Sequence, residues 1–388
     1  MSESKRRILV VLVDRANYGR MRPVMMAIRD RPDLDLQVVC GGSMMLERFG
    51  STYREVEADG FTVDGRVFME LEGSIPLSMA KSVGFGVIEF SSEYARLQPE
   101  IVLLIGDRYE ALGAALAAAY MNIPIAHIQG GEVTGSIDES ARHAITKFAH
   151  WHFPSTDRAA EYIIRMGEHE SRVFNIGCPV GDAILNLEPG IPDDIFTRGT
   201  GADIDPQKPF NLVICHPVTT EFGDERRQVD ELLDALNALA QPTVFLWPNI
   251  DAGADHISKA LRSFRDREQP DWLRYVINLS PENFQKALRG CQVAIGNSSS
   301  FVRDSTFSGT PVVLVGDRQE GRETGHNLIA VPAEKAAIED AVRKQLAHGR
   351  YTPDTLYGDG NASERIAQHL TGLDVFVQKR LSYIEDEG

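Results

Sequence analysis

The sequence predicts an α/β protein made of two domains, each with a parallel β-sheet, and two observations support this fold class. Short apolar runs such as Ile101 to Ile105 alternate with segments of helical spacing, which is typical of a parallel sheet covered by helices on both faces. The alternation also stops at a Pro-, Gly- and Asp-rich stretch and then restarts. Two such domains facing each other would enclose one deep cleft at the carboxyl ends of their strands.

Composition limits the classes of function. The chain has 388 residues, enough for two domains, and its 43% apolar and 25% charged residues fit a soluble globular protein. A net charge of −16 without a Lys/Arg cluster argues against nucleic acid as a partner, and no apolar run is long enough to span a membrane. The four cysteines are scattered and lack metal-ligand spacing, so we expect a reduced, cytoplasmic compartment and no metal site.

Residues 1–178 are predicted to form the first domain, in which apolar runs give strands and amphipathic runs give helices. Its predicted strands are Ile8 to Val13, Leu36 to Cys40, Ile101 to Ile105, Ile123 to Ile128 and Arg172 to Ile176. Its predicted helices are Met21 to Asp30, Met44 to Asp59, Ser74 to Leu97, Tyr109 to Met121 and Asp138 to Ala149.

Residues 179–209 have no sustained period and are predicted to connect the domains, because Pro, Gly and Asp interrupt regular structure. Residues 210–370 are predicted to form the second domain, and 371–388 a tail. The predicted strands of the second domain are Phe210 to Cys215, Thr243 to Trp247, Arg274 to Asn278, Val293 to Gly296 and Pro311 to Val315. The predicted helices after residue 209 are Glu225 to Ala240, Ala254 to Arg265, Pro281 to Arg289, Ser299 to Ser308, Glu334 to His348 and Ser363 to Leu370.

Two short loops follow strands of the first domain and carry charged side chains. Arg15, after the first strand, could hold a phosphate by paired hydrogen bonds, although this loop taken alone favours an ordinary surface loop. Asp107 and Arg108 directly follow a buried strand. Asp107 could cap the next helix or take part in chemistry, and these roles are compatible.

The stretch from His127 to Glu139 is the predicted reaction centre. Gly130 and Gly131 allow the backbone to approach a ligand closely. Clustered carboxylates raise one another's pKa, which suits one of them to donate a proton. Asp138 and Glu139 also begin a predicted helix, where acidic side chains offset the helix dipole, and this role explains one of the two. It does not explain why His127, Glu132 and the glycines occur together. The candidate acid–base side chains are His127, Gln129, Glu132, Asp138 and Glu139.

A third group of polar residues follows strands of the second domain and suits a phosphate. Ser298, Ser299 and Ser300 enter a predicted helix, where hydroxyl and N–H groups bind phosphate. A helix cap is the alternative, but three serines exceed what a cap needs. Strand-end loops also carry His216, Asn249 and, within Gly316 to Arg322, two arginines. The sequence therefore predicts a diphosphate on this side and acid–base groups on the other.

Together these stretches resemble the hydrolysing UDP-N-acetylglucosamine 2-epimerases of sialic-acid synthesis. The motifs that carry the resemblance span nearly the whole chain: RANYGR, GDRYEAL, HIQGGEVTGSIDESARHAITKFAH, HPVTTE, WPNIDAG, GNSSSFVRD, GDRQEGRETG and YGDGNAS. The resemblance implies a GT-B-like fold of two Rossmann-like domains, with a C-terminal helix returning to the first. It also implies a metal-independent elimination of the nucleotide diphosphate to a glycal, followed by hydration to a free sugar with inverted C2, with no cofactor.

The resemblance also implies roles for individual positions. Nucleotide and diphosphate positions match Arg15, His216, Asn249, Ser298, Ser299 and Arg318, and sugar-side positions match Asp107, Glu132 and Asp138 to Arg142. Three positions depart from the family pattern. Gln129 replaces a Glu of proposed acid–base function, Ile105 replaces a His, and Asp304 replaces a Glu that holds the ribose. Since Gln cannot exchange a proton, either Asp107, Glu132 or a neighbour carries all of the proton transfer, or the sugar differs.

UDP-N-acetylglucosamine, converted to N-acetylmannosamine and UDP, is the first expected substrate. The alternatives are the same reaction on an NDP-2,4-diacetamido-2,4,6-trideoxyhexose of legionaminic-acid synthesis, a glycosyltransferase of the same fold, and a non-catalytic nucleotide-sugar-binding protein. The acidic stretch GGEVTGSIDES fits a sugar pocket better than an acceptor groove. The resemblance further implies a homodimer or homotetramer.

Overall fold

A computed structural model describes residues 5–383. We call the part that contains the first sheet the N-terminal half and the part that contains the second sheet the C-terminal half. The strands of the N-terminal half are β1 (Arg6–Leu12), β2 (Leu34–Gly41), β3 (Gly65–Val67), β4 (Ile101–Ile105), β5 (Ile125–Ile128) and β6 (Trp151–Phe153). Its helices are α1 (Arg15–Arg29), α2 (Tyr53–Ala58), α3 (Pro76–Leu97), α4 (Tyr109–Tyr120), α5 (Ile137–Phe148) and α6 (Asp157–Arg165).

The strands of the C-terminal half continue the numbering. They are β7 (Gly199–Gly201), β8 (Asn211–Ile214), β9 (Thr243–Leu246), β10 (Leu273–Val276), β11 (Ala294–Gly296), β12 (Val312–Val315) and β13 (Leu328–Val331). The remaining helices are α7 (Val180–Leu185), α8 (Glu225–Leu239), α9 (Ala254–Glu268), α10 (Pro281–Gly290), α11 (Ser299–Arg303), α12 (Lys335–His348) and α13 (Ala362–Gly372).

Both sheets have the same strand topology. The first has the order β3-β2-β1-β4-β5-β6, with parallel pairing, and the second has β13-β12-β11-β8-β9-β10-β7. In the second sheet β7 pairs antiparallel with β10, at the edge, and the other pairs are parallel. The order reverses between β1 and β4 in one sheet and between β8 and β11 in the other, and such reversal points are where open α/β sheets bind ligands.

The structure differs from the predicted elements in several places, and it contains β3, β6, β13 and α6, which were not predicted. The predicted strand Arg172 to Ile176 is absent from the described residues; one bridge joins Val173 to His152. The predicted helix Met44 to Asp59 is broken into two 3-10 turns and α2, and Gly50, at φ 89°, interrupts it. The predicted connection 179–209 contains α7 and β7, which were too short for a periodic pattern to reveal.

The C-terminal end of the chain returns to the first sheet. Helix α13 packs on α1, and its apolar residues Ile366 and Leu370 belong to the core between α1 and the first sheet. This return begins at Ala362, earlier than the tail predicted at 371, because the apolar face of α13 is buried in the N-terminal half. Residues 384–388 of that tail lie outside the described residues. No helix among residues 5–383 is long and apolar enough to cross a membrane.

Candidate active site

A cavity of about 710 Å³ lies between the carboxyl ends of the two sheets. Most of the residues that the sequence singled out line it: Arg15, Asp107, Arg108, Asp138, His216, Asn249, Ser298, Ser299, Ser300, Asp304 and Arg318. Four others do not line it and lie behind its wall: His127, Gln129, Glu132 and Arg142. The site is therefore a cleft surface supported by a buried layer.

Asp107 follows β4 and is ionised in the cleft. Its Oδ2 accepts a hydrogen bond from Nη2 of Arg142, a guanidinium that is 1% exposed. Burial alone would raise the pKa of Asp107, but the positive charges of Arg142 and Arg322 lower it below the ordinary range. Arg142, predicted to bind substrate, therefore instead holds Asp107 from behind.

Asp138 lies in the first turn of α5 and has the opposite tendency. Its Oδ2 accepts from the Ser136 hydroxyl at 3.0 Å and from Nη2 of Arg318 at 3.3 Å. Burial and the nearby Asp107 charge nevertheless raise the pKa of Asp138 above its ordinary value. Two carboxyl groups of one cleft are thus biased toward different protonation states, which is how acid and base roles are divided in enzymes.

His127 does not reach the cleft, contrary to its predicted acid–base role. It is fully buried in β5, where its Nε2 lies 2.8 Å from the carbonyl oxygen of Gly106 and its Nδ1 3.2 Å from the Thr146 hydroxyl. Burial lowers the pKa of His127 to about 3, so the imidazole is neutral. Its Nε2–H then donates to Gly106, and the side chain fixes the turn that precedes Asp107.

Gln129 is also buried, at 1% exposure, and its amide is held on both sides. Its Oε1 accepts from Nη1 of Arg20 at 2.9 Å, and its Nε2 lies 2.9 Å from the sulfur of Cys178. The backbone of Gln129 has φ 64°, a left-handed conformation that is uncommon for residues other than Gly or Asn. Arg20, which lines the cleft, was not singled out from the sequence, although it closes the motif RANYGR.

Glu132 connects the two halves of the chain rather than facing the cavity. Its Oε2 accepts from Nη1 of Arg303 at 2.7 Å and from Nη1 of Arg322. Burial would raise the pKa of Glu132, but these arginines lower it, so the group is a fixed carboxylate. Arg303 was not singled out from the sequence, because a cross-sheet contact leaves no periodic signal. Arg322, one of the two arginines expected on the diphosphate side, instead pairs with Glu132 and does not line the cavity.

Arg108 is also held by hydrogen bonds to carboxylates. Its guanidinium donates to both oxygens of Glu110 at 3.1 and 2.8 Å and to Oδ1 of Asp251 at 2.6 Å, across the cleft. Asp251 also accepts from the side-chain amide of Asn249. Arg108 therefore fixes the cleft wall, and its charge is already balanced by acids.

Two side chains on the wall from the C-terminal half, His216 and Ser298, are neutral. The backbone N–H of His216 donates to Oδ1 of Asn297 at 2.7 Å, and the backbone N–H of Asn249 donates to Nδ1 of His216 at 3.3 Å. Burial lowers the pKa of His216 to about 3, so its Nε2–H is left as a neutral donor. Ser298 caps α11 by accepting from the N–H of Ser300 at 3.3 Å.

Two further residues line the cavity, one from each half of the chain. Asp304 accepts from Nε2 of Gln285 at 2.7 Å, and burial raises its pKa. Arg15 is the first residue of α1 rather than part of a loop, and among residues 5–383 no hydrogen bond or ion pair of its side chain is present. Burial lowers the pKa of Arg15, so this unpaired guanidinium favours an anionic ligand. Among residues 5–383 no group of three or more His, Cys, Asp or Glu could hold a metal ion.

Comparison with known proteins identifies the family. A family model for UDP-N-acetylglucosamine 2-epimerase matches residues 26–371. A UDP-N,N'-diacetylbacillosamine 2-epimerase (hydrolyzing) of Legionella pneumophila is 35% identical over 96% of this chain and 97% of its own. A GDP/UDP-N,N'-diacetylbacillosamine 2-epimerase (hydrolyzing) of Campylobacter jejuni is 32% identical over 84% of each chain.

A solved 2-epimerase structure has the same fold as this chain. A Methanocaldococcus jannaschii UDP-GlcNAc 2-epimerase, solved with UDP-GlcNAc and UDP, superposes with a TM-score of 0.78 over 94% of this chain and 99% of its own, at 17% identity. This likeness concerns the fold, which confirms the predicted GT-B-like arrangement of two facing Rossmann-like sheets. With the family match over most of its length, the chain belongs to the UDP-N-acetylglucosamine 2-epimerase family.

Proposed function

We propose that the protein is a hydrolysing 2-epimerase of a UDP-linked 2,4-diacetamido-2,4,6-trideoxyhexose, the UDP-N,N'-diacetylbacillosamine type of substrate. One observation carries the reaction: Asp107 and Asp138 line the same cleft with opposite shifts in pKa. The two relatives that are 35% and 32% identical support this sugar, because both carry the name of a diacetylbacillosamine 2-epimerase.

The reaction divides between the two carboxyl groups. The ionised Asp107 takes the proton from C2 of the sugar, and the C1–O bond breaks with its electron pair leaving on the diphosphate. A C1–C2 double bond results. Asp138, in its protonated form, then supplies a proton to the opposite face of C2 while water adds its hydroxyl to C1. The Asp138 carboxylate takes up the proton that the water loses, and Asp107 releases the C2 proton to solvent. The products are UDP and a free sugar with inverted C2. General acid–base catalysis of this kind contributes about 10²- to 10⁴-fold to a rate.

The cleft also suits the departing diphosphate. Arg15, from the N-terminal half, lines the same cavity as Arg318 and the neutral donor of His216, from the C-terminal half. Preorganised donors aimed at developing negative charge are a large contribution to catalysis. Asp304 would accept from the ribose hydroxyls.

Gln129 bears on the identity of the sugar. It replaces the Glu expected of the sialic-acid enzymes, and an amide cannot transfer the proton that a carboxyl group would. In the structure the amide is held by Arg20 and Cys178. UDP-N-acetylglucosamine remains the second candidate, since the family model that matches residues 26–371 is described by that substrate.

Incubation with each UDP-sugar, followed by ¹H and ³¹P NMR, tests the proposal. We expect free 2,4-diacetamido-2,4,6-trideoxymannose and UDP, with a higher kcat/KM than for UDP-N-acetylglucosamine. A preference for UDP-N-acetylglucosamine would contradict the proposed substrate but agree with the proposed reaction. Absence of turnover with both sugars, or a product still linked to UDP, would contradict hydrolysing epimerisation.

A further inference from the structure

The boundary between the two halves contains an ion cluster that the reaction described above does not use. Glu132 accepts from Arg303 and Arg322 through a single oxygen, and the three residues are 5%, 3% and 6% exposed. Among the described residues, the other oxygen of Glu132 and the Nε atoms of both arginines have no hydrogen-bond partner. Because incompletely paired buried charges are costly, this cluster is a poor source of stability.

The cluster is connected to the cleft by one residue. Arg142 donates from Nη1 to the backbone carbonyl of Glu132 at 2.6 Å and from Nη2 to Oδ2 of Asp107. Arg303 ends α11, and Arg322 follows β12, so both belong to the C-terminal half. A continuous set of contacts therefore runs from the carboxylate of Asp107, through Arg142 and Glu132, to the opposite sheet.

We propose that Arg303 and Arg322 are positioning residues for Asp107: by fixing Glu132 from the C-terminal half, they fix Arg142 against the reacting carboxylate. The inference rests on the proposed function, in which Asp107 is the base. Its consequence is that the N-terminal half does not have a complete base environment by itself. The environment is complete only where the two halves meet.

Charge supports the same assignment. The charged groups that bear on Asp107 come from α5, from the loop before α5 and from the C-terminal half; they are Arg142, Asp138, Glu132, Arg303 and Arg322. The guanidinium groups of Arg142, Arg322 and Arg303 thus act on Asp107 in the same direction. Although burial opposes it, their positive charge lowers the pKa of Asp107.

The first test compares Arg322→Gln with Arg322→Lys and with a matched control, Arg158→Gln. Arg158 crosses the same boundary, donating to the carbonyl of Gly321 at 2.7 Å, but does not join the cluster. For Arg322→Gln we expect kcat to fall about 10-fold or more while the Kd for UDP, by calorimetry, changes less than about 3-fold. Arg322→Lys should recover part of kcat, and Arg158→Gln should leave it unchanged. An equal loss of kcat in Arg158→Gln would overturn the proposal, because any disturbance of the boundary between the halves would then lower kcat.

The second test does not require turnover. Carboxyl ¹³C NMR of protein labelled at aspartate, with Asp107→Asn for assignment, follows the ionisation of Asp107 directly. In Arg322→Gln we expect Asp107 to take up its proton about one pH unit higher than in the wild type. Arg322→Lys should titrate like the wild type. Identical titration in Arg322→Gln and the wild type rejects the proposal. A wild type that turns over no UDP-sugar rejects the proposed function instead, and leaves this measurement valid.

If Arg322→Gln does not fold, the double variant Glu132→Gln/Arg322→Leu takes its place. Replacing both partners of a buried ion pair is far better tolerated than removing one. Circular dichroism and thermal melting establish that it is folded. Because this variant loses one carboxylate and one guanidinium near Asp107, its effects on the pKa of Asp107 oppose each other, and kcat is the measurement. We expect kcat to fall about 10-fold, as in Arg322→Gln, because Arg142 is no longer fixed from the C-terminal half, and an unchanged kcat in the folded variant would reject the proposal.

Discussion

The two walls of the cleft hold their polar groups differently. On the wall from the N-terminal half, Asp107 and Asp138 each contact a guanidinium, that of Arg142 and that of Arg318. On the wall from the C-terminal half, His216 and Ser298 are neutral and are positioned by hydrogen bonds to the backbone. One wall therefore has its charges fixed in advance, and the other mainly offers donors.

This difference matches what each wall would have to do. A proton-transferring carboxyl group must have a set protonation state before the substrate arrives, and burial and the neighbouring charges set it. A diphosphate brings its own charge, so neutral donors in fixed positions are sufficient to orient it. Substitutions on the first wall should therefore alter kcat, and substitutions on the second should alter binding.

The largest effect is expected for Asp107→Asn. Asparagine cannot accept the C2 proton, so kcat should fall by about 10³-fold while the Kd for UDP stays within about 3-fold of the wild type. ³¹P NMR of UDP release and calorimetry measure the two quantities. Asp224→Asn, on an exposed ion pair, is the control. Near-normal turnover in Asp107→Asn would remove this residue from the mechanism.

The next effect is that of Asp138→Asn on the pH profile. Because the pKa of Asp138 is raised, this carboxyl group stays protonated to a higher pH than an ordinary aspartic acid. We therefore expect kcat/KM to fall as the pH rises through that pKa. In Asp138→Asn we expect kcat to be about 10²-fold lower and this fall to disappear. A profile from pH 4 to 9 is the measurement. If the fall persists unchanged in the variant, another group is the acid.

A smaller effect should come from the second wall. Ser298→Ala removes a hydroxyl in the cleft that also caps α11, so the Kd for UDP should rise about 10-fold, with kcat reduced less than about 3-fold. Ser308→Ala, away from the cavity, serves as the matched control. A larger loss in kcat than in affinity would contradict the division between the walls.

The smallest effect is expected for Gln129→Glu. Arg20 already contacts Oε1 of Gln129, so it can pair with the new carboxylate, and the melting temperature should change little. We expect kcat/KM on UDP-N-acetylglucosamine to rise about 2- to 5-fold relative to the diacetamido sugar, as measured by competition between the substrates. An unchanged ratio would show that Gln129 does not set the preference.

The cleft residues themselves could be predicted because they follow strands. Asp107 comes directly after the run IVLLIG, and Ser298 after AIGN, so alternation and the rule for parallel sheets place both at one edge. The same rule placed His127 there as well, since a strand-end position does not say whether the side chain points into the sheet or the cleft. His127 points into the sheet, where Gly106 and Thr146 satisfy its ring.

The sequence by itself determined the two α/β halves, their parallel sheets and the two kinds of polar loop. These properties depend on local periodicity and on strand ends, which are written in neighbouring residues. Only the tertiary structure decided that Glu132 meets Arg303 and Arg322 and that Gln129 meets Arg20. Such contacts join residues more than a hundred positions apart, and their partners are selected by how the sheets pack rather than by any local pattern.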